Sequence, residues 1–128
     1  RGGSRAVYTT TDLGKTWKEH ESSRTALIEP VCMASLISVP AKDNVLGKDL
    51  LIFSNPNSTS ARKDMTIKIS LDGGNTWPEE YQLLLDEGYN WGYSCLTMID
   101  KETIGILYES SVAHMTFQSI KLTDIIKK

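Results

Sequence analysis

The chain has 128 residues and no apolar run near the ~18–20 needed to cross a bilayer as a helix. The longest candidate segment, Ala34 to Val39, is strand-length. It has only two cysteines, Cys32 and Cys95, enough for one bridge at most and too few for a disulfide framework. The only histidines, His20 and His114, lie far apart in no metal-ligand spacing; both read as surface residues, and no metal or other cofactor is implied. Charge of one sign is also lacking: 14 Lys+Arg face 16 Asp+Glu, a formal net charge of −2, which gives no support for a nucleic-acid surface. The chain opens on Arg1 and shows no basic-then-apolar leader, so it reads as a mature product or a piece of something larger. What remains is 40% hydrophobic and 23% charged, the balance of a soluble globular domain.

Self-similarity is the strongest positive signal. Thr10-Thr11-Asp12-Leu13-Gly14-Lys15-Thr16-Trp17 and Ser70-Leu71-Asp72-Gly73-Gly74-Asn75-Thr76-Trp77 share the pattern [S/T]-x-D-x-G-x-T-W, 60 residues apart. Each aspartate can accept hydrogen bonds from N–H groups within its own turn, and Gly14 and Gly74 can supply a positive φ. The tryptophan can then tuck its ring under the turn. The flanks read as strands: Arg5 to Thr9 and Met65 to Ser70 lead in, and Trp17 to His20 and Tyr81 to Leu85 return.

The rest also reads as strands and turns. Ala34 to Val39 and Asp49 to Ser54 bracket a loop with Pro40, Asn44 and Gly47. Tyr93 to Ile99 and Thr103 to Glu109 bracket a tight turn, and Thr116 to Leu122 is a further strand. Thr123 to Lys128 can form one helical turn with Thr123 as N-cap, or fray. No long helical period appears. The expected fold is all-β. A four-stranded antiparallel meander of ~40–60 residues is the unit of a β-propeller. On that reading residues 1–30 end one blade, 31–88 form one full blade, and 89–128 form a last, incomplete blade. A little over two blades cannot close a ring of ~4–8. The chain is therefore expected to need the missing N-terminal part of its own propeller, or other copies.

The two octapeptides resemble the Asp-boxes of sialidases. Other segments extend the likeness. Phe53-Ser54-Asn55-Pro56, then Arg62 and the strand Met65 to Ser70, resembles the third arginine segment of bacterial exo-α-sialidases, glycoside hydrolase family 33. Gly92-Tyr93-Ser94-Cys95-Leu96 resembles their nucleophile segment, and Ile106-Leu107-Tyr108-Glu109 the segment whose glutamate braces an active-site arginine. The likeness covers the whole chain but only about the last third of the family's catalytic domain, a six-bladed β-propeller. It implies that Arg62 is one of three arginines gripping the sialic acid carboxylate, that Tyr93 is the nucleophile and that Glu109 orients an arginine of the cluster. The family's first arginine, its acid/base aspartate and the glutamate that activates the tyrosine lie in upstream segments. Its second arginine falls just before the start of this chain; Arg1 and Arg5 lie near that place and are not assigned to the cluster. Sialylated glycans are the implied partners, and a periplasmic or secreted location is implied by resemblance alone.

The residue types suit this chemistry. The reacting carbon of sialic acid carries a carboxylate, so a carboxylate nucleophile would approach another negative charge. A tyrosine hydroxyl is neutral until attack, and sialidases are the named exception among retaining glycosidases. Arginines hold permanent charge and can engage a carboxylate through two parallel N–H···O bonds. Strand order places Tyr93, Arg62 and Glu109 at one mouth of the propeller. Read alone, each residue is blander: a solvated arginine, a packed strand aromatic and a solvated strand end. Cys95 reads as a buried free thiol on the same strand face as Tyr93, and Cys32 as core. Asn57-Ser58-Thr59 matches a glycosylation sequon and reads as a turn. Tyr89 and Trp91 either line the aglycone side or pack under their loop. The competing function is a non-catalytic Asp-box propeller module that binds a glycan or a protein. The nucleophile segment serves hydrolysis, trans-sialidation and intramolecular transfer alike, because residues around the mouth set the acceptor.

Overall fold

The structure, a computed structural model, describes residues 2–127. Its strands are β1 (Tyr8–Thr9), β2 (Lys18–Glu19), β3 (Ser35–Val39), β4 (Leu50–Pro56), β5 (Lys63–Ser70), β6 (Gln82–Tyr89), β7 (Ser94–Met98), β8 (Thr103–Tyr108) and β9 (Thr116–Lys121), followed by the short helix α1 (Leu122–Ile125). All strand pairs are antiparallel. They form a two-stranded ribbon β1-β2, a four-stranded sheet β3-β4-β5-β6 and a three-stranded sheet β7-β8-β9, each joined in sequence order. The chain is thus all-β, with meander sheets consistent with part of a β-propeller. Among the described residues no helix is long and apolar enough to cross a membrane.

The first expected hairpin is shorter than its pattern suggested, and its return Trp17 to His20 pairs as strand only over Lys18–Glu19. The lead-in Arg5 to Thr9 pairs as strand only over Tyr8–Thr9, because Arg5 and Val7 spend their N–H groups on Leu27 O and Ser23 Oγ instead. The C-terminal turn starts at Leu122, one residue before Thr123, and the residue at its N-cap is Lys121 with no side-chain cap. Arg1 and Lys128 lie outside the described residues.

β4 and β5 are buried on both faces; β4 reads as an apolar and small-residue run, whereas β5 keeps the alternation of Met65 to Ser70 although its polar residues are covered too. One face carries Leu50, Ile52, Met65, Ile67 and Ile69. These pack against Leu96, Ile104, Ile106 and Ile120 of the three-stranded sheet and against Leu122 and Ile125 of α1. Hydrogen bonds lock the two sheets together at β7: Ser54 Oγ lies 2.7 Å from Ser94 Oγ, and Leu96 N–H donates to Ser35 Oγ at 3.0 Å. The opposite face turns toward the N-terminal segment. There Asn55 Nδ2 donates to Ile28 O at 2.8 Å, and the Arg5 guanidinium lies 5.9 Å from the Phe53 ring centre. Lys68 is buried on this face. Its Nζ donates to Asn57 Oδ1 at 2.7 Å, and burial pulls its pKa down to about 8.

The β5–β6 ladder slips at Asp64, whose φ is +57°, between the pairs Lys63↔Tyr89 and Met65↔Asp86. A bulge of this kind bends a strand end and re-aims its neighbours. Here it falls two residues after Arg62. The outer face of the three-stranded sheet is open, with Cys95, Leu107 and Phe117 side by side in register. Cys95 is therefore exposed, not buried: alternation turns Ser94 and Leu96 inward and Cys95 out. Cys32 is buried, and both thiols are free.

Candidate functional site

The loops after β4, β6 and β8 gather at one end of the sheets, because the strands they follow all run the same way in the antiparallel order. Arg62 ends the first loop, Tyr93 ends the second, and Glu109 begins the third. The structure brings the three together. Tyr93 and Glu109 extend the β7–β8 ladder by one modified rung. Glu109 N–H donates to Tyr93 O at 3.0 Å, while Tyr93 N–H donates not to the Glu109 carbonyl but to its carboxylate Oε2, also at 3.0 Å. Arg62 crosses from the neighbouring sheet. Its Nη1 donates to Trp91 O at 2.8 Å, and its guanidinium carbon lies 5.8 Å from the centre of the Tyr93 ring. Asn90 N–H donates to Arg62 O at 2.9 Å, so the two loops are stitched through backbone as well.

Tyr93 is half exposed at 48%, and Arg62 is exposed. Both face a cleft of about 620 Å³ whose walls include Arg5, Arg24, Glu29 and Cys32. Three guanidinium groups against one buried carboxylate make the cleft cationic. Arg5 is already committed: its Nη2 bonds Cys32 O and sits 4.0 Å from Glu29 Oε2. Arg24 pairs with Glu19 at 3.2 Å on the outside. Of the three, Arg62 has its charge least compensated among the described residues, since its guanidinium meets a carbonyl and an aromatic face but no carboxylate. Glu109 makes no ion pair with an arginine among the described residues; its carboxylate holds the Tyr93 backbone. Among the described residues no three His, Cys, Asp or Glu side chains cluster so as to hold a metal.

The cleft also contains residues that sequence reading did not place there. Cys32 read as core and is buried, yet it lines the cleft: its Sγ donates to Gly92 O at 3.4 Å. Burial pushes the Cys32 thiol pKa up, with the positive charges of Arg62 and Arg5 opposing. Glu29 is 5% exposed and accepts from Cys32 N–H at 3.0 Å. The available signal was Gly92, placed directly before Tyr93, where a close approach by another segment needs the missing side chain. Tyr89 and Trp91 do not pack under their loop; they are 75% and 67% exposed, beside a second hollow closed by Ser110 to His114. His114 is exposed, whereas His20 is half buried with its Nδ1 2.8 Å from Ser22 Oγ.

Blade-like antiparallel sheets with a cationic cleft at one end define an all-β scaffold consistent with a propeller segment. The comparisons place it among known proteins. The chain is 82% identical over 127 residues to a sialidase of Bacteroides fragilis (strain YCH46), covering 99% of this chain and 23% of that protein. It is 31% identical over 141 aligned positions to an anhydrosialidase of Macrobdella decora, covering 99% of this chain and 18% of that one. Among solved structures it superposes on the Hadza microbial sialidase Hz136 with a TM-score of 0.94 and 72% identity, over 97% of this chain and 24% of the other. No protein-family model matches the chain. The chain is thus a homologue of the sialidases, which are glycosidases, along essentially its whole length. It spans about a quarter of the length of the first sialidase it matches.

Proposed function

We propose that this chain supplies the nucleophile and one carboxylate-binding arginine of a retaining exo-α-sialidase that removes terminal sialic acids from glycoconjugates. The observation that carries the reading is the convergence of Arg62 and Tyr93 from two different sheets on one cationic cleft, 5.8 Å from guanidinium carbon to ring centre. The cleft's charge suits an acidic sugar, and Arg62 can donate to its carboxylate while Tyr93 stands beside the adjacent anomeric carbon. In the first step the Tyr93 phenol oxygen bonds that carbon as the glycosidic C–O bond breaks. The phenol proton passes to a base, and the leaving oxygen takes a proton from an acid. In the second step water replaces the phenol oxygen, and Tyr93 is restored. The acid/base and activating groups belong to parts of the protein outside this chain. The six-bladed propeller, with the octapeptide turns as Asp-boxes and residues 31–88 as one full blade, is part of the same proposal. So is the role of Glu109: its carboxylate fixes the Tyr93 backbone here, and its second oxygen can brace an arginine supplied by the rest of the domain.

The test is turnover of a fluorogenic sialoside by the full-length protein. Tyr93→Phe should lower kcat by about 10³-fold or more. The isolated 128-residue chain should give no turnover. Near wild-type activity in the Tyr93→Phe protein would remove the nucleophile assignment. Glycan binding by the wild-type protein without any turnover would favour a non-catalytic binding module. A relative named anhydrosialidase motivates a product analysis: mass spectrometry separates free sialic acid from a product one water lighter, formed by attack of the sugar's own hydroxyl.

A further inference from the structure

We infer that Cys32 and Gly92 form a positioning bracket that sets the direction of the Tyr93 side chain relative to Arg62. The inference rests on the reading of Tyr93 as nucleophile and adds to it the part of the molecule that aims the phenol.

The peptide unit between Gly92 and Tyr93 is gripped at both ends. Its carbonyl oxygen accepts from Cys32 Sγ at 3.4 Å, and its N–H donates to Glu109 Oε2 at 3.0 Å. A peptide plane held by both of its polar groups cannot rotate freely about its flanking bonds. The Cα–Cβ vector of Tyr93 leaves that plane directly, so its aim follows. The preceding peptide is held too, since Trp91 O accepts from Arg62 Nη1 at 2.8 Å. The side chain that would bind the carboxylate therefore also anchors the backbone leading to the nucleophile.

Gly92 makes this grip sterically available. Its φ is +97°, a conformation that side chains strain. A Cβ there would stand 2.5 Å from Cys32 Sγ, 3.1 Å from Arg62 Cδ and 3.3 Å from Pro56 Cγ. Three separate segments thus close a socket around one α-carbon: the approach to β3, the end of β4 and the loop before β5. Cys32 is itself immobilised. Its N–H donates to Glu29 Oε2 at 3.0 Å and its carbonyl is bonded by Arg5. Arg5 and Glu29, which the cleft's cationic character alone would suggest as ligands, are instead the base of the bracket. Burial keeps the thiol protonated near neutrality, and a protonated thiol is the form that can donate. The other cysteine, Cys95, is exposed on the outer face of the three-stranded sheet, so the thiol is not half of a disulfide within the chain.

The test compares full-length variants by sialoside kinetics, with circular dichroism and thermal midpoints as folding controls. Cys32→Ala removes the donor and should lower kcat about tenfold while KM moves less than about threefold, since misplacing a reacting group by a fraction of an ångström acts on the transition state. Cys32→Ser keeps a donor and should recover most of that loss. Gly92→Ala should lower kcat about 100-fold or more, and adding Cys32→Ala to it should restore at least about tenfold by freeing the space the new methyl needs. A Cys32→Ala protein within twofold of wild type overturns the inference. So does a double variant no better than Gly92→Ala, or a loss shared equally by Cys32→Ser. If Gly92→Ala does not fold, the Cys32→Ala and Cys32→Ser pair decides alone. Tyr93→Phe is measured alongside: an active Tyr93→Phe protein breaks the nucleophile reading, whereas an inactive one with unaffected Cys32→Ala breaks only the bracket.

Discussion

The two octapeptide turns are nearly the same object in two settings. In the first, Thr10 Oγ1 donates to Asp12 Oδ1 at 2.8 Å, and Asp12 accepts from Thr16 N–H at 2.9 Å and from Thr16 Oγ1 at 2.7 Å. In the second, Ser70 Oγ donates to Asp72 Oδ1 at 2.7 Å, and Asp72 accepts from Thr76 N–H at 2.9 Å and from Thr76 Oγ1 at 2.6 Å. Both tryptophans donate their indole N–H to the motif glycine carbonyl, at 3.0 and 3.2 Å. What stands behind the turns differs. The second joins two eight-residue strands, and Trp77 packs edge-on against Phe53 with ring centres 5.8 Å apart. The first joins two-residue strands, and Trp17 is 61% exposed. Eight residues therefore suffice to write a turn's hydrogen bonds. They do not decide how far its tryptophan is covered.

The largest effect expected from this contrast lies in the tryptophans. In the full-length protein Trp77→Ala should cost about 2–3 kcal/mol of stability through the lost contact with Phe53, and Trp17→Ala less than about 1 kcal/mol. Urea midpoints measure both. Equal losses would mean that Trp17 also meets a packing surface in the whole domain, and would erase the contrast. A middle-sized effect lies in the backbone. Leu13 holds φ +58° fully exposed, where the second turn has Gly73 at φ +72°. Leu13→Gly should raise stability and Gly73→Leu lower it, each by about 1 kcal/mol, read as thermal midpoints. Gly73 faces open space, so its penalty is conformational only. No gain from Leu13→Gly would show that the first turn's strain is relieved in some other way.

The smallest effect is the acid response, where the two turns should agree. Asp12 is held at a pKa of about 2, first by the Thr16 N–H and then by the Thr16 and Thr10 hydroxyls. Asp72 is held at about 2, first by the Thr76 hydroxyl, then by its N–H and by Ser70. A carboxylate with a depressed folded pKa stabilises fully above its ordinary value of 3.8, and that contribution is lost as the pH falls through 2. Asp72 is exposed and Asp12 only partly covered, so the contribution is small and screened. Asp12→Asn and Asp72→Asn should each flatten the stability curve between pH 4 and 2 by a similar amount. A marked difference in slope would show that the turns' local networks are not equivalent.

Much of the fold was legible in the residues. The order of the strands from Ala34 onward followed from alternation and turn residues, with ends off by one or two positions except at β6, which runs four residues past Leu85 to Tyr89. The misses share a cause. Cys95 read as buried because a sequence gives the parity of a strand but not which face is covered. Met65 to Ser70 read as an alternating strand, yet both of its faces are buried, because the N-terminal segment lies on one side and the three-stranded sheet on the other. At the site, Arg62, Tyr93 and Glu109 could be singled out through resemblance and strand order. Cys32, Glu29 and Arg5 could not be tied to them, since Cys32 and Gly92 meet across 60 residues of chain.

The sequence by itself determined the two turns, the antiparallel strand order and the end of the sheets at which the three candidate residues emerge. These depend on interactions within a few residues or on the alternation of a single strand, and such information is local. Tertiary structure alone decided which tryptophan packs against another ring, which thiol is covered, and how the Gly92–Tyr93 peptide is held from both sides. Those outcomes depend on which distant surface lies opposite, and that is fixed only when the sheets pack.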